Sequence, residues 1–151
     1  MTHQLNEMLD TLSKIDISNL DACKECFSPD LIWHYENAEL PEQRGEVHGV
    51  EGLNLFFQRV LNTQNYSLNV EVIHAHPVGD ELLLMHTRNR TSWCRREVEF
   101  DVALIWRFEG SRVVEVWDVP AVTSGMRILS DNSSEKSHTN TLGTNASKHC
   151  K

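Results

Sequence analysis

From Glu97 to Phe108 the chain alternates without a break. Val98, Phe100, Val102, Leu104, Trp106 and Phe108 fall on one parity, and Glu97, Glu99, Asp101, Ala103, Ile105 and Arg107 on the other. A period of two sends successive side chains to opposite faces of a strand. A strand this long and this two-faced has to bury its apolar side, so the remaining chain must supply a cover. Glu109-Gly110-Ser111 reads as a turn, and Arg112-Val113-Val114-Glu115-Val116-Trp117-Asp118-Val119-Pro120 returns as the second arm of a hairpin. Pro120 ends that arm by removing a ladder donor. Val114, Val116 and Asp118 share one of its faces, so an apolar surface terminates in a carboxylate.

The elements that cover this hairpin come earlier. Leu5, Met8, Leu9, Leu12 and Ile15 recur at helical spacing and predict an amphipathic helix over residues 3–14. Ser18 as N-cap, with Asp21 three residues on, predicts a second helix through Cys26, broken by Ser28-Pro29-Asp30. Leu31-Ile32-Trp33-His34-Tyr35-Glu36 is a short strand of open parity: either Ile32 and His34 or Trp33 and Tyr35 face inward. Gly49-Val50-Glu51-Gly52 starts a third helix with the stripe Leu53, Phe56, Phe57, Val60 and Leu61. Strands over 66–76 and from Leu82 follow, separated by the turn Pro77-Val78-Gly79-Asp80. Leu82, Leu84, His86, Arg88 and Arg90 share one face of the later strand, and Leu83, Met85 and Thr87 the other. Helices first and long antiparallel strands after them make an α+β domain, with a curved sheet, helices across its concave side and a pocket between.

Composition narrows the function. At 151 residues the chain is one domain with a real core, and its net charge of −8 argues against nucleic-acid binding, which needs a clustered basic face. No run of about 18 apolar residues is present to span a membrane, and the polar opening Met1-Thr2-His3-Gln4 lacks a secretory pattern, so the expected compartment is cytoplasmic. Cys23, Cys26, Cys94 and Cys150 follow no disulfide framework. Cys23-Lys24-Glu25-Cys26 sits in a predicted helix, where free buried thiols are expected rather than zinc or redox chemistry. His74 and His76 share a strand face without a third ligand at suitable spacing, so no metal and no organic cofactor is expected. From residue 128 to 151 the chain is rich in Ser, Asn, Thr and Lys and is expected to be a disordered polar tail beyond a domain of residues 1–127.

Three stretches together carry a family resemblance. They are Ser28-Pro29-Asp30-Leu31-Ile32-Trp33-His34, then Gly45-Glu46-Val47-His48-Gly49-Val50-Glu51-Gly52-Leu53 leading to Phe56-Phe57, and Trp106 to Val119 with its closing Val-Glu-Val-Trp-Asp-Val run. Their order resembles SnoaL-like proteins of the polyketide-cyclase or aldol-condensation type, within the nuclear-transport-factor-2-like superfamily of cone-shaped α+β folds. The resemblance covers roughly residues 5–125. It implies a deep cavity with polar groups on its walls, homodimers packed through the sheet, and a last-strand carboxylate acting in acid–base chemistry, at a position matched by Asp118. The strand of His86 and Arg88 resembles one that carries an Arg and an Asp in limonene epoxide hydrolases, so that triad is incomplete here. Leu104 stands about where ketosteroid isomerases have a neutral acid.

The candidate site follows. Asp118 is the expected general base, with His86 or His34 as acid–base partner and Arg88 binding a developing oxyanion through its fork of donors. His34 is favoured over Tyr35 as the inward residue of its strand. Tyr35, Phe56, Phe57, Val102, Leu104, Trp106 and Val116 are the expected substrate-binding wall. The expected activity is cofactor-independent proton transfer next to a carbonyl in a small apolar molecule: isomerisation, cyclisation or dehydration. The rival expectation is a non-catalytic ligand-binding or dimeric assembly module of the same fold. Trp117 and Ile105, on the outer sheet face, are the candidates for a dimer contact.

Overall fold

The computed structural model describes residues 2–37, 45–63 and 67–131. Its elements are α1 (Thr2–Ser13), a 3-10 segment (Leu20–Cys26), β1 (Phe27–Tyr35), β2 (Gly45–His48), α2 (Gly49–Thr63), β3 (Leu68–Val78), β4 (Leu82–Trp93), β5 (Arg96–Glu109), β6 (Arg112–Pro120) and β7 (Arg127–Asp131). They form the expected α+β cone: helices packed on one strongly curved sheet ordered β2-β1-β6-β5-β4-β3, with β7 also on β5. All pairings are antiparallel except β1 with β6.

The long alternating strand is the spine. Val98, Phe100, Val102, Leu104, Trp106 and Phe108 are all buried, as the pattern requires. β5 joins β4 through Cys94 and Arg95, both with positive φ (54° and 63°), the geometry of a two-residue hairpin turn whose twist matches its strands. At its other end Gly110, with φ 63°, makes the turn into β6. α2 lies on the concave side with Leu53, Phe56, Phe57 and Val60 buried, and Leu20, Leu31, Leu83, Val113 and Val116 complete a core closed to solvent. α1 is tied down at two points: Gln4 donates to the Asp80 carbonyl of the β3–β4 turn, and the Thr11 hydroxyl to the Ser111 carbonyl at 3.2 Å. Its Met8 reaches the core, while Leu9 and Leu12 are only partly covered.

Three boundaries differ from expectation. The second helix is a 3-10 segment kinked at Cys23 (φ −129°, ψ 24°), and its approach is fixed by Asp16, whose Oδ1 accepts from the Ser18 amide and hydroxyl, rather than by a Ser18 cap. β1 begins at Phe27 and runs through Pro29; the ladder with β6 skips from Phe27 to Ile32, so the proline sits in a bulge where no ladder donor is needed. The expected tail starts too early, because Arg127–Asp131 forms β7, paired with Arg96–Glu99 alongside the part of β5 that β6 leaves open. Residues 132–151 lie outside the described residues. Cys23 and Cys26 are free and buried. No helix among the described residues is long and apolar enough to cross a membrane.

Candidate active site

The inward side chains of the sheet stand in rows across neighbouring strands. In one row Val116 of β6 is flanked by Trp33 of β1 and Trp106 of β5; in the next, Asp118 is flanked by Tyr35 and Leu104. Asp118 is therefore an inward residue near the end of β6, and only 8% of its surface is exposed. The Trp33 indole N–H donates to its Oδ2 at 3.1 Å. Trp33 is itself wedged edge-to-face against Phe57 (5.3 Å) and Trp106 (5.5 Å), so the donor cannot swing away. Burial pushes the Asp118 carboxyl up to about 7, and the Trp33 bond only partly offsets this.

Asp118 opens onto a cavity of about 540 Å³ between the sheet and the N-terminal segment. The sheet contributes Trp33, Met85, Thr87, Asn89, Val102, Leu104 and Trp106, with Leu68, Val70 and Val72 of β3 at one side. Leu9 and Leu12 of α1, Ile15 and Ile17 of the following connection, and Phe57 of α2 form the cover. Among the described residues the lining carries no cationic side chain; its polar groups are Ser13, Asp16, Thr87, Asn89, Asp118 and the indoles. The Trp106 N–H is buried and has no acceptor among the described residues. No cluster of three His, Cys, Asp or Glu side chains suited to a metal is present among the described residues.

The expected wall divides in two. Phe57, Val102, Leu104 and Trp106 line the cavity. Tyr35, Phe56 and Val116 do not: Tyr35 packs on Phe56 at 4.8 Å with its hydroxyl accepting from Asn37, and Val116 is sealed between the two tryptophans. Burial drives the Tyr35 phenol above its ordinary value.

Three of the four expected catalytic residues belong to the opposite face. Parity decides each case. Leu31, Trp33 and Tyr35 are the buried set of β1, so His34 points outward, where its Nε2 meets Glu115 at 2.7 Å and its ring stacks on Trp117 at 5.2 Å. Leu83, Met85, Thr87 and Thr91 are the buried residues of β4, so His86 and Arg88 also face outward. There Asp101 accepts from His86 Nε2 at 2.7 Å, from Arg88 Nε at 3.0 Å and from Arg127 Nη2 at 2.9 Å. The hydrogen bonds from Arg88 first, then from Arg127 and His86, hold the Asp101 carboxyl well below the usual range. The network continues through Arg127 to Glu99, which also pairs with Arg90. β7 thus adds a cation to an ion-pair lattice on the convex side, away from Asp118. His86→Ala and Arg88→Ala should accordingly leave any Asp118-dependent rate within about twofold. Their stability cost should be small, because these pairs are solvated and screened. Steady-state rates and urea midpoints check both.

Trp33, Thr87, Asn89 and the connection Ile15–Ile17 were not expected at the site. For Trp33 the signal was available, since Leu31, Trp33 and Tyr35 form the more apolar parity of β1. Nothing in the spacing of residues 15–17 marks them as a cover.

The family model described as a SnoaL-like domain matches residues 6–116. No curated protein sequence shows a significant match. Among solved structures, TerC co-crystallised with polyporic acid superposes with TM-score 0.65 at 12% identity, covering 77% of this chain and 89% of that one. An NTF2-like protein from Burkholderia pseudomallei K96243 gives 0.64 at 19%, covering 78% and 90%. IdmH from Streptomyces antibioticus, described as a candidate polyketide cyclase, gives 0.60 at 19%, covering 75% and 91%. At these identities the likeness establishes the fold alone. Together with the family match over most of the domain, it closes the question of kinship: the chain belongs to the SnoaL-like domain family, with the nuclear-transport-factor-2-like cone as its fold.

Proposed function

We propose that the protein is a cofactor-independent enzyme that moves a proton at a carbon next to a carbonyl, with Asp118 as the proton carrier. One observation carries this reading: a buried carboxyl, pushed up to about 7 by that burial, lies at the floor of an apolar cavity and accepts from the Trp33 indole. A general base works best when its pKa lies near the working pH, and burial supplies that here. The carboxylate takes the proton from the carbon acid, and the protonated form returns it. The other candidate groups, His34, His86 and Arg88, have no part, since they face the convex side. Trp106 contributes its unpaired N–H as the donor for the developing oxyanion in their place.

Among the described lining residues Asp118 is the carboxyl on the sheet and Asp16 lies near the cover, so a single group gives back what it removed. That economy favours isomerisation over dehydration, which gains from a separate acid. TerC, a structural neighbour, was crystallised with polyporic acid, an organic small molecule, which agrees with a cavity of this kind holding one. We place the protein in the cytoplasm. The test is exchange of α-protons for deuterium in a panel of apolar ketones, followed by NMR. Exchange that rises with pH to a plateau above about 7 and disappears without the carboxylate supports the reading. Ketones that bind but never exchange would leave the rival, a ligand-binding module.

A homodimer through the convex face is part of the same proposal. Leu84, Ile105 and Val119 are 42%, 36% and 44% exposed there, beside the half-buried Trp117. Sedimentation equilibrium should give twice the chain mass at micromolar concentration, and Ile105→Lys should halve it.

A further inference from the structure

Asn89 is the inward-facing polar side chain of the cavity that neither the fold nor the acid–base reading uses. Its neighbour Thr87 is 1% exposed, and the Thr87 hydroxyl donates to Asn89 Oδ1 at 3.0 Å. That bond engages the amide oxygen and turns the NH₂ group away from Thr87. Among the described residues no protein acceptor receives that NH₂, and the side chain, half-buried, lines the cavity. A donor held in one orientation at the wall of a mostly apolar cavity can select a ligand by its acceptor.

Its position relative to Asp118 fixes what such an acceptor must be part of. Asn89 pairs with Phe100, four residues along β5 from Leu104, which pairs with Asp118; β4 is the second strand from β6. Strand geometry places the two backbones roughly 14 Å apart along the strands and 10 Å across. Side chains reaching inward from a curved sheet shorten the gap between their polar atoms. Val102, Leu104 and Met85 lie between and are apolar. The lining offers no cation for an anionic group among the described residues, and Asp16 adds a second carboxyl near the cover.

We infer that Asn89, held by Thr87, is a specificity-determining contact that receives an oxygen acceptor at the far end of an uncharged, elongated ligand whose reactive carbonyl lies at Asp118. This rests on the cavity binding a small carbonyl compound, and it adds the second polar end and the absence of charge. A rigid probe pair isolates it: 2,6-diacetylnaphthalene, with an oxygen at each end, and 2-acetyl-6-isopropenylnaphthalene, in which one oxygen is replaced by CH₂.

Calorimetric titration of the wild-type protein should show the diketone bound about fivefold more tightly, the size of one neutral hydrogen bond. Asn89→Leu should abolish that preference without weakening the mono-ketone. Asn89→Asp keeps the shape and the Thr87 bond but has no donor, and should abolish it too. Thr87→Val should reduce it. Asp118→Asn should leave it in place, so failure of the catalytic reading and failure of this one separate cleanly. Equal affinity of the wild type for both probes, equal weakening of both by the Asn89 variants, or binding of neither probe overturns the assignment. Undiminished deuterium exchange in Asp118→Asn, with the preference intact, overturns only the role of Asp118.

Discussion

Asp118→Asn is expected to lower α-proton exchange by about 10²- to 10⁴-fold, the range for removal of a positioned acid–base group. The amide is nearly isosteric and its oxygen can still accept from the Trp33 indole, so the cavity keeps its shape and ketone affinity changes little. The fall is therefore in the rate constant for exchange and not in binding, the signature of an interaction made during proton transfer. The pH profile makes the same point. With the carboxylate as the proposed active species, the wild-type rate should climb through about pH 7 and level above it, whereas the residual rate of the variant should lack that step. His86→Ala should retain both the rate and the pH profile, because its imidazole is bound to Asp101 on the other side of the sheet. A wild-type profile without a step near 7, or an Asp118→Asn protein with undiminished exchange, removes Asp118 from the chemistry.

The contrast between those two substitutions shows where the sequence could be read and where it could not. The alternation of 98–108 survives intact, because parity within one long strand leaves no freedom once one side is buried; Val116 and Asp118 face inward beside it, while a register shift opposite Phe108 buries Val113 rather than the expected Val114. Short strands lack that redundancy. In β1, Ile32 looked as suited to the core as Trp33, and choosing His34 over Tyr35 reversed the whole strand. In β4, Leu82 and Leu84 made the His86 face look apolar, yet Leu84 is 42% exposed and Leu83 fully buried. What settles such a strand is its neighbours: Met85 lies beside Leu104 and His86 beside Ala103, a pairing that no spacing in one chain reveals. The same holds for β7, whose Arg127 finds Glu99 and Asp101 only after β5 has paired. A polar composition concealed a short strand held by ion pairs. The cavity cover is the least legible part, since Ile15 and Ile17 line it from a connection whose course depends on Asp16 holding Ser18.

The same Asp118→Asn substitution should make the protein more stable at pH 8, by about 2–4 kcal/mol, while leaving it nearly unchanged at pH 4. The sign follows from linkage. The folded-state pKa, about 7, lies above the value near 3.9 expected in the unfolded chain, so between those pH values the native state binds a proton that the unfolded state has released. Wild-type stability must then fall as pH rises from about 4 to about 7, and the loss is complete above 7, where the carboxylate is buried with Trp33 as its donor among the described residues. Three pH units at about 1.4 kcal/mol each set the upper bound. The asparagine variant has no such group and escapes the loss. Asp101 and Glu99 act in the opposite sense, since their lowered values make stability fall with acid, but both are present in wild type and variant and cancel in the comparison. Urea midpoints of the two proteins at pH 4, 6 and 8 measure the difference directly. A gap that widens with pH identifies a carboxylate kept ionised against its surroundings, which is the condition for a strong base and a liability for the fold. A gap that stays flat, or a wild type that is the more stable at pH 8, means that water or a cation reaches Asp118, and the basicity on which the proposed chemistry rests is then absent.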